Sequence, residues 1–289
     1  MALLLLVSVL WAFSFGLIKH LSVGFDGAFI SAARLALALL VFLPFLRLRG
    51  LAPRTATALA GIGAVQFGLM YLAYNESFRF LKSHEIAVLT LTTPVFVTLL
   101  ADAFDRTFRV RALVAALVAV LAGAAIVVQS TPTADTVTGV VLIQLSNFAF
   151  ALGQVLYRRL RAVGGDLRDR DVFGLLYLGA LAVTLPVSLV RTDFAALPFT
   201  PGNIAILAYL GLVASGLGFF LWNLGATRVT AATLAVMNNA KIPLAVACSL
   251  LVFGETASPP RLLALFAGGA LLVLAARLAE RRPASFGSA

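Results

Sequence analysis

Lys241 lies at the centre of the apolar run 230–253, too deep for its ammonium to reach a polar boundary easily. The 12 acidic residues fall in loops or near the ends of apolar runs, so none stands at its depth. A lysine so placed titrates to neutral, bonds to backbone carbonyls, or holds an anionic group that the protein does not supply. Asn238, three residues earlier on the same helix face, would complete an anion site, with Asn239 beside it. Pro243 removes a backbone hydrogen bond just beyond and frees a carbonyl, adding polarity there.

Amides and aromatics form the next layer of candidates. Gln144, Asn147, Ala151 and Gln154 follow a 3-4-3 spacing, which puts three amides on one helix face. Such amides either line a polar cavity or join neighbouring helices by hydrogen bonds. Gln66, Met70 and Tyr74 share another face, and Ser215, Phe219 and Trp222 a third. Tyr74 and Trp222 each sit beside an amide, Asn75 and Asn223, which favours them as cavity residues; Phe78 and Phe219 read as packing. Arg34, about seven residues or ~10 Å into its run, reads as a snorkelling cation. The only histidines, His20 and His84, lie in separate loops, and no phosphate-binding or dinucleotide glycine pattern occurs. The inventory offers no catalytic constellation, metal set or cofactor motif, which argues against an enzyme.

What must position these residues is a bundle of membrane helices. Apolar residues make up 61% of the 289 and charged ones 12%, against roughly a quarter in a soluble domain. Ten apolar runs, at roughly 3–19, 27–46, 56–75, 86–104, 110–128, 136–157, 172–190, 203–222, 230–253 and 261–279, approach the length of a bilayer span. They lack the alternation of a membrane barrel and are read as helices. The net charge of +10 is a topology signal and not a nucleic-acid site. With a cytoplasmic N-terminus, cytoplasmic loops and the C-terminus hold 15 of the 22 Lys and Arg, and the opposite loops five. Both termini are therefore expected in the cytoplasm of a multi-pass inner-membrane protein surrounded by lipid, with residues 280–289 as a tail.

Two proline pairs reveal a duplication. Pro94 lies 15 residues after Arg79 and Pro243 lies 15 after Arg228, while Pro44 and Pro186 form a second pair at similar separation. The stretch Trp11–Lys19 resembles Phe150–Arg158. The expected units are residues 1–128 and 136–279, joined by the polar loop Gln129–Thr138. Five spans in each is an odd number, so the second copy enters the membrane from the opposite side. Inverted repeats mark secondary transporters, with the substrate site where the repeats meet. Proline-broken inverted repeats fit a transporter better than a channel pore.

Several of these features together resemble the drug/metabolite transporter superfamily, EamA type. They are Trp11 in the first span, Arg34 in the second, and the Pro94-Val95 and Pro243-Leu244 steps. The likeness runs over the whole chain and is nearest to the YddG-like exporters of aromatic amino acids. It implies alternating access and export of small amphipathic metabolites, aromatic or apolar amino acids first among them, and it adds Trp11 to the substrate-binding candidates. An amino acid substrate would bring a carboxylate to Lys241. Import or exchange of a nucleotide sugar or a drug is the alternative, with a cationic drug disfavoured by the lack of a mid-membrane carboxylate. One departure stands out: many such helices carry glutamate just before the proline, where this chain has Thr93 and Ile242.

Overall fold

The computed structural model describes residues 2–106, 133–163, 168–226 and 245–255, with isolated positions outside these ranges. All regular structure among them is helical. Seven helices are long and apolar enough to cross a membrane: α1 (Ala2–Leu21), α2 (Gly27–Phe45), α3 (Pro53–Ser77), α4 (Ser83–Asp105), α5 (Ala134–Arg161), α6 (Asp169–Arg191) and α7 (Pro201–Gly225). A short helical stretch follows at 245–251. These seven are the expected spans one to four and six to eight. The described residues therefore show seven spans and not ten, since spans five and ten and most of nine lie outside them.

Helix starts are written locally. Asp26 caps α2 by accepting the Phe29 N–H at 2.9 Å, and Thr200 caps α7 by accepting that of Asn203 at 3.2 Å. Pro53 and Pro201 occupy first-turn positions, where a missing N–H costs nothing. The paired prolines behave differently. Pro44 sits in the 3-10 turn Leu43–Phe45 that ends α2, whereas Pro186 lies inside α6.

Three helices depart from α geometry where they cross the bundle. α3 widens into a π turn at Ala64–Leu69 and α7 into a longer one at Tyr209–Leu217. α4 tightens to 3-10 at Thr90–Thr92, just before Pro94, whose ring cannot sit against the carbonyl of an ordinary preceding turn. Each departure takes backbone carbonyls out of the regular ladder.

Helices α2 and α6 pack on each other at the centre. Around them α2 packs on α7 as α6 does on α3, and α1 packs on α7 as α5 does on α3. Exchanging α1 with α5, α2 with α6 and α3 with α7 leaves this pattern unchanged. Bare glycine faces bring helices together. A Cβ on Gly63 would lie 1.9 Å from the Leu176 carbonyl oxygen, and one on Gly179 would lie 1.8 Å from that of Ala60, so α3 and α6 meet backbone to backbone. Other glycines also allow close approach, with Gly16 under the Phe253 ring and Gly211 against Leu37.

Candidate functional site

A cavity opens among six of the described helices. Trp11, Ser14, Phe15 and Ile18 of α1 line it, with Arg34 of α2, and Met70, Tyr71 and Tyr74 of α3. The rest of the wall is Thr90 and Thr93 of α4, Ser146, Asn147 and Phe150 of α5, and Phe219 of α7.

Arg34 is the one cation in that wall among the described residues, and it is 3% exposed. Its Nε donates to Ser215 Oγ at 3.1 Å, Nη1 to Asn75 Oδ1 at 3.2 Å and Nη2 to Tyr71 Oη at 2.8 Å. The guanidinium carbon also lies 4.3 Å from the centre of the Tyr71 ring. Ser215 Oγ gives its proton to the Leu210 carbonyl at 2.6 Å, a bond that the π turn of α7 makes possible. Tyr71 Oη, 2.9 Å away, therefore donates to Ser215 Oγ. Asn75 is seated in turn by Ser31, which accepts from its Nδ2 at 2.8 Å. Every partner is neutral, and no carboxylate bonds to Arg34 among the described residues. The snorkelling expected from its sequence position is thus overturned: three helices converge on the guanidinium and hold it inside.

The opposite wall is built on the break in α4. Asn147 Nδ2 donates to the Leu89 carbonyl at 3.0 Å and to Thr92 Oγ1 at 2.8 Å. Thr92 Oγ1 lies 2.7 Å from Gln144 Oε1 and 3.0 Å from the Leu89 carbonyl, and its single proton serves one of them. Two amides from α5 thus satisfy a turn that Pro94 disrupts. Asn147 does this while also lining the cavity, whereas Gln144 does it from behind.

Aromatic side chains form the sides. Trp11 Nε1 donates to the Ala214 carbonyl at 2.9 Å, which fixes its ring against Phe219 and Trp222, each 5.0 Å away between centroids. Tyr74 meets Phe15 and Phe78 edge-on.

Of the residues chosen from sequence, Trp11, Tyr74 and Asn147 line the cavity. Gln144 supports it, and Trp222 packs behind Trp11 without reaching the lining. Gln154 does not line it. Gln66 is fully buried in the π turn of α3 against Gly153, and neither atom of its amide has a hydrogen bond among the described residues. Lys241, Asn238 and Asn239 lie outside the described residues. Phe219, read as packing, does line the cavity. Arg34, Tyr71, Thr93 and Ser146 were not chosen as binding residues, although Arg34 alone among them carried a signal, a charge inside an apolar run.

A second polar cluster ties the ends of α1, α3 and α4 to the segment after residues 245–251. His84 Nδ1 lies 2.7 Å from Glu255 Oε2, the Ser83 N–H donates to Glu255 Oε1 at 3.1 Å, and Ser249 bonds the same carboxylate. Lys19 Nζ donates to the carbonyls of Phe78 and Leu81, and Ser83 Oγ to that of Phe15. Burial pushes the Glu255 carboxyl up, yet hydrogen bonds from His84, Ser249 and Ser83 outweigh it and hold it at about 2. The carboxylate is ionised at any ordinary pH.

A helical bundle with a small amphipathic cavity at its centre defines a class, and comparison with known proteins agrees. The EamA-like transporter family model matches residues 1–129 and 137–277, and the chain belongs to that family. It is a multi-pass membrane transporter and not an enzyme. A probable biotin transporter of Pseudomonas aeruginosa is 45% identical over 93% of this chain and 94% of its own length. Biotin transporters of Escherichia coli K12 and Salmonella typhimurium are each 37% identical over 98% of this chain and 93% of theirs. A solved structure, titled only as the crystal structure of a protein, shares the fold with a TM-score of 0.65 and 18% identity over 96% of each chain. The family expected from the motifs holds. The narrower likeness to exporters of aromatic amino acids finds no support in the names of these relatives.

Proposed function

We propose that this protein is a secondary transporter for a small amphipathic carboxylated metabolite, with biotin the leading candidate. It works by alternating access between two inverted five-helix repeats, residues 1–128 and 136–279. The observation that carries this reading is the cavity itself. Helices from both proposed halves build it, α1 to α4 from one and α5 and α7 from the other, as a site between repeats requires. The exchange pattern of helix contacts and the two family matches support the duplication. Biotin has a fused apolar ring system, a neutral cyclic urea and a carboxylate tail. The aromatic sides suit the first, and the hydroxyls and amide of α4 and α5 suit the second. The relatives named for biotin favour it over an aromatic amino acid.

The purified protein in liposomes, given labelled biotin and a labelled aromatic amino acid panel with and without a pH gradient, tests this. Saturable biotin flux in either direction is the expected result. Amino acid flux without biotin flux would overturn the substrate and restore the exporter reading. Orientation is tested separately. Asp135→Cys in a Cys248→Ser background should label from outside intact cells, and labelling only after the membrane is opened would reverse the topology.

A further inference from the structure

We propose that Arg34 is the carboxylate anchor of the cavity, so that the transporter selects molecules with a free carboxylate and takes their neutral head on the α4–α5 wall. This rests on the metabolite-transport reading above and adds which end of the substrate goes where. A guanidinium carries five N–H donors, and Arg34 spends three of them, one on each nitrogen. Each terminal nitrogen keeps one N–H with which to meet a carboxylate.

The partners already present supply geometry without charge. Ser215, Asn75 and Tyr71 are neutral, and the proton order from Tyr71 to Ser215 to the Leu210 carbonyl leaves no anion in the chain. Glu76, near the end of α3, is engaged by Arg79 at 2.8 Å and Arg191 at 3.7 Å. A buried cation without a counter-charge is costly, and its cost is relieved when an anion enters the space it faces.

The neutral pole lies elsewhere. Thr90, Thr93, Ser146 and Asn147 belong to α4 and α5, while the Arg34 cluster belongs to α2, α3 and α7. α3 carries part of the Arg34 cluster and packs against both α2 and α5, so it joins the two polar regions of the cavity. Trp11, Tyr74 and Phe219 also line the cavity and supply apolar surface for the body of the substrate. A cyclic urea needs both acceptors and donors, which hydroxyls and an amide provide. The competing reading of Arg34 is a brace that only joins three helices. A brace needs its donors but has no preference about the charge of the substrate.

The test uses the full-length protein in liposomes, with labelled biotin as the probe. Competitors are unlabelled biotin, desthiobiotin, biotinamide and biotin methyl ester. Desthiobiotin, with its carboxylate and urea intact, should compete within a few-fold of biotin. The two uncharged derivatives should compete at least about tenfold more weakly. Equal competition by biotinamide would overturn the anchor while leaving biotin transport standing, and absence of biotin flux would instead remove the reading beneath it. In Arg34→Gln the KM for biotin should rise at least about tenfold and the gap between biotin and its amide should close. A brace would lower folded yield and turnover and keep the gap, which would overturn the proposal. Should Arg34→Gln fail to fold, Lys241→Met decides. The gap persists there if Arg34 is the anchor, and it closes if Lys241 is.

Discussion

The π turns of α3 and α7 share a backbone solution and use it in opposite ways. Gln66 and Ser215, one in each, stand 149 residues apart, the separation of Pro94 and Pro243. In α7 the displaced carbonyls have donors. Ala214 receives Trp11, Ser215 and Gly216 receive Tyr177, and Leu210 receives Ser215. In α3 the same position holds an amide buried without a hydrogen bond among the described residues. On the proposed duplication, the helix distortion recurs because it is a property of the backbone. The polar wiring depends on side chains arriving from other helices, and those differ between the halves.

Substitutions at the two turns can break this contrast. The largest effect is expected from Ser215→Leu. It removes the acceptor for Arg34 Nε and Tyr71 Oη and forces a bulky group between α2 and α7, costing about 2–5 kcal/mol. Thermal unfolding in detergent should show a clear loss, with biotin flux per folded molecule falling as well. Unchanged unfolding and flux would mean that the α7 wiring is not what seats the arginine.

Gln66→Leu should go the other way. It swaps an unsatisfied buried amide for an apolar side chain of similar size and should stabilise by about 1–3 kcal/mol with transport intact. A stabilised protein that no longer transports would reveal Gln66 as a substrate contact that the cavity geometry does not display. A destabilised one would show that the amide has a partner. Smallest is Trp11→Phe, which keeps an aromatic ring and loses one bond to Ala214, worth about 1 kcal/mol. A modest rise in KM with little change in turnover is expected, and a collapse of turnover would assign Trp11 a part in the conformational change.

Much of the framework was legible in the sequence because it depends on local pattern. The lengths of apolar runs gave seven helices where the structure has them. The 3-4-3 spacing placed Gln144 and Asn147 on one face, and both readings of that face proved true of Asn147, which bridges helices and lines the cavity. Arg34 was misread because depth along a helix says nothing about which neighbours meet it. Its seat needs Asn75, Tyr71 and Ser215, the last 181 residues away. Gln66 was grouped with Met70 and Tyr74 on the assumption of 3.6 residues per turn, and a π turn shifts that register by one residue. Trp222 was ranked by its neighbour Asn223, but Trp11 stands in front of it.

Arginine keeps its proton at any physiological pH, so the charge in this wall is present through the whole transport cycle. Bound to a monoanion, it presents the membrane with a neutral pair; empty, it presents a positive charge. On the proposed alternating-access cycle, membrane potential then acts on Arg34 in the return of the empty carrier far more than in the loaded crossing. Each charge moved through the full field is worth about 2.3 kcal/mol per 100 mV, and the fraction that Arg34 traverses sets how strongly voltage speeds one half of the cycle. A flux of substrate against no ion gradient at all would therefore still depend on the electrical state of the cell.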